Sequence, residues 1–119
     1  MKKTIILGAT TNPSRYAYEA ARRFTEEGID FIPVGIKKGK VFDQEIVNDK
    51  QLIQDVDTIT LYVGPTRHEE WEDYILKTKP KRLIFNPGTE NTSLAQKAKN
   101  EGIEPIFACT LVMLSVGYY

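Results

Sequence analysis

Thr4-Ile5-Ile6-Leu7-Gly8-Ala9-Thr10-Thr11-Asn12-Pro13-Ser14-Arg15 decides the fold. An apolar run stops at a glycine, passes through small and hydroxylated residues, and reaches Asn-Pro ahead of a helical pattern. Asn suits an N-cap and Pro the first helical position, so the stretch predicts a buried strand turning sharply into a helix. Such a turn can hold an anion, because unpaired N–H groups and the positive end of the helix dipole face whatever lies in it. A phosphate-bearing ligand is expected there, with the later strand-to-helix turns completing its pocket.

Beyond this turn, residues 15–27 carry Ala17, Ala20, Ala21 and Phe24 at helical spacing, and Gly28 supplies the stop. The alanines let that helix lie close to a sheet. A second strand covers 30–35, with Phe31, Ile32 and Val34 apolar. Pro33 cannot donate to a ladder and marks an irregular or locally unpaired point. Lys37-Lys38-Gly39-Lys40 follows, then an extended stretch over 41–47 and a short helix over 50–54 capped by Asp49. A third strand over 57–63 places Ile59, Leu61 and Val63 on one face and Thr58, Thr60 and Tyr62 on the other. Thr66-Arg67-His68-Glu69 reads as a capping box, starting a helix over 67–78 with Trp71 and Ile75 inward. A fourth strand over 82–85 ends in Asn86-Pro87-Gly88-Thr89. Asn91 or Thr92 caps the next helix, with Leu94, Ala95 and Ala98 inward. A fifth strand covers 104–108, and Thr110 caps a short last helix over 111–115.

Strand and helix thus alternate about five times with short connections. That pattern predicts an α/β, three-layer Rossmann-like fold: a five-stranded parallel sheet, order 3-2-1-4-5, with helices on both faces. The 119 residues are read as one domain, 1–119. Ligands of open parallel sheets lie beyond the carboxyl ends of the strands, where the order reverses. With this order the crevice falls between the first and fourth strands. The turns there carry Gly8, Gly35, Gly64 and Gly88, which turn geometry alone also explains.

Sixteen basic and sixteen acidic side chains give a formal net charge of zero, which removes the simplest electrostatic case for a nucleic-acid partner. No apolar run approaches the ~20 residues of a membrane span, so no membrane partner is expected. Cys109 is the single cysteine. It allows no intramolecular disulfide and no cysteine-based zinc site, and it points to a reducing, cytoplasmic setting. Whether the chain forms a homo-oligomer stays open.

The dinucleotide fingerprint G-x-G-x-x-G is absent: after Gly8 no glycine follows until Gly28. The acid that grips a ribose hydroxyl about 20 residues on is also absent. Gly35-Ile36-Lys37-Lys38 stands at the end of the second strand instead. Missing acid and nearby lysines disfavour NAD and suit a phosphorylated ribose, as in coenzyme A or NADP. The lysines equally suit a solvated loop.

Gly8 to Arg15, followed by Gly28-Ile29-Asp30-Phe31-Ile32-Pro33-Val34, resembles the CoA-binding protein family of small Rossmann-like domains, related to the CoA-binding domain of succinyl-CoA synthetase α subunits. Gly88, Asn91 and Cys109 stand where that family has its later glycine, asparagine and cysteine. The resemblance implies that Gly8, Ala9 and Thr10 hold ligand phosphates, with Asn12 and Arg15 adding polar contacts. It implies that Val34 and Gly35 border the adenine-ribose, that Lys37 lies near its phosphate, and that Val63 and Gly64 lie over the ligand. Two departures stand out. Pro33-Val34 continues to Gly35-Ile36 rather than Asn-Pro, and Gly64-Pro65-Thr66-Arg67 replaces an Arg-x-x-Glu-like pattern.

No catalytic constellation emerges. His68 is the only histidine and reads as an exposed first-turn side chain. Cys109 reads as a small hydrophobe after an apolar strand, although it also precedes a helix start that would favour thiolate chemistry. Non-catalytic binding of coenzyme A or a related adenine nucleotide is the leading expectation. A small NADP-linked oxidoreductase, an acyl-CoA enzyme using Cys109, and an interaction domain without a ligand stay open beside it.

Overall fold

All four side chains of Thr4–Leu7 are buried, because a central parallel strand has helices on both faces and no solvent side. The computed structural model describes residues 2–119. In chain order its elements are β1 (Thr4–Leu7), α1 (Tyr16–Glu26), β2 (Phe31–Val34), β3 (Lys40–Val41), β4 (Gln44–Glu45), β5 (Thr58–Leu61), a 3-10 turn (Pro65–Arg67), α2 (Glu69–Thr78), β6 (Arg82–Phe85), α3 (Thr92–Asn100), β7 (Glu104–Phe107) and α4 (Thr110–Val116). The main sheet runs β2-β1-β5-β6-β7, parallel throughout.

Outside β2, Val47 adds a single parallel bridge to Val34. Its N–H donates to the Pro33 carbonyl at 2.9 Å, and its carbonyl accepts from the Gly35 N–H at 3.1 Å. With that bridge counted as a vestigial third strand, the order is the Rossmann-like 3-2-1-4-5, and β7 takes a sixth position. The occupants differ from expectation. The segment 57–63, expected at the edge beside the second strand, is β5 and lies against β1. Pro33 supplies the reason. It pairs with Ile6 on the inner side but has no N–H for an outer neighbour, so the outer ladder shrinks to one bridge. The order therefore reverses between β1 and β5, not between β1 and the 82–85 strand.

The stretch after β2 folds into a hairpin, β3 against β4, through Phe42 and Asp43, both at positive φ. The short helix expected over 50–54 is absent, since Lys50 and Asp55 adopt left-handed conformations that a right-handed helix cannot include.

Helices cover both faces. Ala17, Ala20, Ala21 and Phe24 of α1 pack with Leu114 of α4 against Ile6 and Phe31. The other face carries Trp71, Tyr74 and Ile75 of α2 and Leu94, Ala95 and Ala98 of α3, packed on Ile5, Leu7, Ile59, Leu61, Leu83 and Phe85. Burying a side chain such as Phe24 or Ile75 contributes about 1.5–3 kcal/mol. Both layers bring helix N-termini to the carboxyl end of the sheet. Among the described residues, no helix is long and apolar enough to cross a membrane.

Candidate functional site

The strand ends open into one crevice of about 670 Å³. Gly8, Ala9, Thr10, Asn12 and Arg15 line it from the first turn, Gly35 and Lys37 from the end of β2, Val63 and Gly64 from the end of β5, and Gly88 from the turn after β6. Val34, grouped with these from the sequence, lies outside the lining and is fully buried. Its carbonyl accepts from the N–H groups of Gly8 (2.8 Å) and Ala9 (3.1 Å), so it ties β2 to the first turn.

That tie changes which amides are free. The Gly8 and Ala9 N–H groups are used inside the protein, and the Asn12 N–H donates to Thr10 Oγ1 at 3.1 Å. The N–H groups of Thr10, Thr11, Tyr16 and Ala17, all crevice-lining residues, donate to no protein acceptor among the described residues. They surround the N-terminus of α1, which adds its dipole. Asn12 is not the helix cap. Its Oδ1 accepts from the Ser14 N–H (3.0 Å) and Oγ (2.8 Å), and the Arg15 N–H donates to its carbonyl (3.1 Å). Asn-Pro suits the first two positions of a β-turn as well as a helix start, so the chain turns once more before α1 begins at Tyr16.

Gly8 is required by packing. It sits at φ +98°, and a Cβ there would come within 3.0 Å of both the Tyr62 carbonyl carbon and Val63 Cγ2. The ends of β1 and β5 thus approach closely enough to form a continuous floor.

Past β5, the capping box does not form. Pro65 starts a 3-10 turn one residue before Thr66, and His68 becomes the N-cap residue of α2 with no side-chain cap bond. The turn brings Arg67 to the crevice, a residue passed over from sequence because the supposed box placed it inside a helix. His68 departs from expectation too: it is buried, 1% exposed. Tyr16 and Ile36, both exposed, also line the crevice, and Trp71 closes part of it from below.

The turn after β6 hangs on Asn86. Its Nδ2 donates to Thr60 Oγ1 (2.7 Å) and the Leu61 carbonyl (2.9 Å), and its Oδ1 accepts from the Thr110 N–H (2.9 Å). In the same turn the Gly88 N–H donates to Glu90 Oε1 at 2.9 Å. Cys109 is half-buried, sits at the N-cap of α4, and does not line the crevice.

The electrostatics are one-sided. Arg15, Lys37 and Arg67 line the crevice, and among the described residues no Asp or Glu does. Arg67 pairs with Glu70 at 2.8 Å, whereas Arg15 and Lys37 make no ion pair among the described residues. The arrangement can hold an elongated polyanion with an apolar section.

Comparison with known proteins bears on the family and the fold. The CoA binding domain family model matches residues 2–115. Among solved structures, the crystal structure of an uncharacterised protein is 54% identical with a TM-score of 0.98, covering 100% of this chain and 98% of the other. A Thermus thermophilus protein, cell-free ID.343, is 23% identical with a TM-score of 0.86, covering 99% and 90%. A hypothetical protein from Pyrococcus horikoshii OT3 is 22% identical with a TM-score of 0.86, covering 98% and 83%. Likeness at the level of these last two concerns the fold alone. No curated protein matches the chain. Nothing in these matches supports NADP as the ligand. Matched by the family model over almost its whole length, the chain belongs to the CoA binding domain family.

Proposed function

We propose that this chain, as a single domain, binds coenzyme A or a related adenine nucleotide in the crevice at the carboxyl ends of its parallel strands, as a binding module rather than a catalyst. The observation that carries this is the gathering of Arg15, Lys37 and Arg67, without a carboxylate, around one crevice of a formally neutral chain. The free amides at Thr10, Thr11 and the start of α1 then hold the diphosphate, with Asn12 and Arg15 beside them. Gly35 lets the ligand run close to the backbone, Ile36 and Tyr16 offer apolar surface to the adenine, and Lys37 meets the ribose phosphate. Val63, Gly64 and Arg67 lie along the middle of the ligand, and Gly88 borders its far end. Cys109 lies outside this lining, which favours binding over thiol chemistry.

A thermal-shift panel of CoA, acetyl-CoA, ADP, NAD and NADP tests the proposal. A ligand present at about a hundred times its Kd stabilises the fold by about 2.7 kcal/mol, a shift on the order of 10 °C for a domain of this size. CoA is expected to give the largest shift. If none of the five moves the midpoint at millimolar concentration, the proposal fails.

A further inference from the structure

We propose that His68 is a positioning residue of the crevice: a neutral imidazole, protonated on Nε2, that holds the turn after β5 against the turn after β6. Its importance for ligand affinity rests on the CoA-binding proposal, but its geometry does not.

Nε2 lies 2.7 Å from the Val63 carbonyl oxygen, which can only accept, so Nε2 carries the proton. Nδ1 lies 3.0 Å from Asn91 Nδ2. The Asn91 amide cannot be reversed without cost, because its Oδ1 caps α3 by accepting from the Leu94 N–H at 3.0 Å. Its NH2 group therefore donates to Nδ1, which must be bare. The two bonds together select one tautomer, with the proton on Nε2. The ring is buried, with its centroid 6.4 Å from that of Phe85.

Three places meet at this ring. Val63 ends the β5 side of the crevice, His68 itself starts α2, and Asn91 starts α3 directly after the turn holding Gly88. Both turns line the crevice, so the length of the strut from Val63 to Asn91 sets the width of that half. Without it, the Val63 carbonyl and the Asn91 amide each lose a partner, and the turns can drift apart.

His68 is the only histidine, so its nitrogen spectrum is free of overlap. Long-range proton–nitrogen NMR on the ligand-free protein should show protonated Nε2 and bare Nδ1. A ring protonated on Nδ1, or averaging between tautomers, would overturn the assignment. His68→Phe keeps an aromatic ring without either bond. It should move the Gly64 and Gly88 amide signals and weaken CoA binding roughly tenfold, measured well below the unfolding midpoint. His68→Gln, which can restore the donor to Val63, should recover most of the affinity. Asn91→Ser keeps an α3 cap but its shorter side chain does not reach Nδ1, and it should weaken binding with little loss of stability. Wild-type affinity in both His68→Phe and Asn91→Ser would refute the positioning role. Should the wild type itself bind no CoA, the functional proposal falls, and the tautomer and the two glycine signals still decide whether His68 holds the turns.

Discussion

Replacing Lys37 by alanine should weaken the binding of CoA and leave that of 3′-dephospho-CoA unchanged. The Lys37 backbone is held in place, because Asn48 Nδ2 donates to the carbonyls of Gly35 (2.8 Å) and Lys37 (2.7 Å). The side chain is exposed and unpaired, so its removal should cost the fold no more than about 0.5 kcal/mol. An ammonium about 4 Å from a phosphate oxygen gains about 1 kcal/mol in water and about 4 kcal/mol at the effective dielectric of a protein surface. Exposure places Lys37 near the lower figure, and ordering its flexible stem takes back part of the gain. A coupling of about 1 kcal/mol, roughly fivefold in Kd, is therefore expected between side chain and phosphate. A double cycle of wild type and Lys37→Ala against the two ligands, read by titration calorimetry, isolates that coupling. The coupling should shrink between 0.1 M and 1 M salt, as the screening length falls from about 10 Å to about 3 Å. Equal weakening of both ligands, or of neither, would refute the placement of the ribose phosphate at Lys37.

Three further outcomes follow from the geometry. Gly8→Ala should lose about 2–4 kcal/mol in urea unfolding, since the new Cβ meets the Tyr62 backbone at a φ that L-residues avoid; a loss under 1 kcal/mol would mean the strand ends have slack. Asn86→Leu should cost about 3–4 kcal/mol by removing three bonds and stranding the buried Thr110 N–H, and a cost under 1 kcal/mol would show that the turn is held otherwise. Tyr62→Phe should stabilise by about 1 kcal/mol, because among the described residues the buried Tyr62 hydroxyl has no partner in hydrogen-bond geometry, while Thr60 and Thr110 bond each other at 2.7 Å. Burial also pushes the Tyr62 phenol above its ordinary value, so the unfolded chain loses that proton at a lower pH than the folded one. Stability from this source is complete below about pH 10 and declines above it, and the urea midpoint of Tyr62→Phe should fall less steeply from pH 9 to 11 than that of the wild type.

The alternation of elements was legible because each strand and helix states its own period. Ile59 and Leu61 face one layer, Thr58 and Thr60 the other, and the alanines of α1 mark its close approach. Strand order was legible as a class and not as a placement. Residues 58–61 are buried on both faces, which describes a strand with neighbours but names none of them. Pro33 held the missing information: a strand that cannot donate outward supports no full partner, so the next long strand must pair elsewhere. The glycine turns were legible for the same local reason, and nearly all of the expected lining residues meet in the crevice. Val34 lies outside the lining, and the sequence does not show this because the period of a strand says which side chain is buried, not which carbonyl is spent. His68 was illegible because its partner Asn91 lies 23 residues away, across α2 and β6. Arg67 was hidden by a local competition, in which Pro65 starts the turn before Thr66 can cap it.

Formal neutrality is an average over two populations of charge, and only one of them faces the crevice. Arg22 pairs with Glu19 and Glu26, Arg23 with Glu27, and Lys77 with Asp73, each within one helix turn. Lys97 pairs with Glu72 between α3 and α2. Such exposed pairs add little to stability. Their larger effect is to occupy carboxylates on the helix surfaces, away from the strand ends. Arg15 and Lys37 are left unpaired beside the start of α1, where the helix dipole adds to their field. A chain with no net charge thereby keeps a local positive potential across one crevice. Screening by salt should therefore act on ligand binding far more than on folding, which separates the two roles of charge in a single titration.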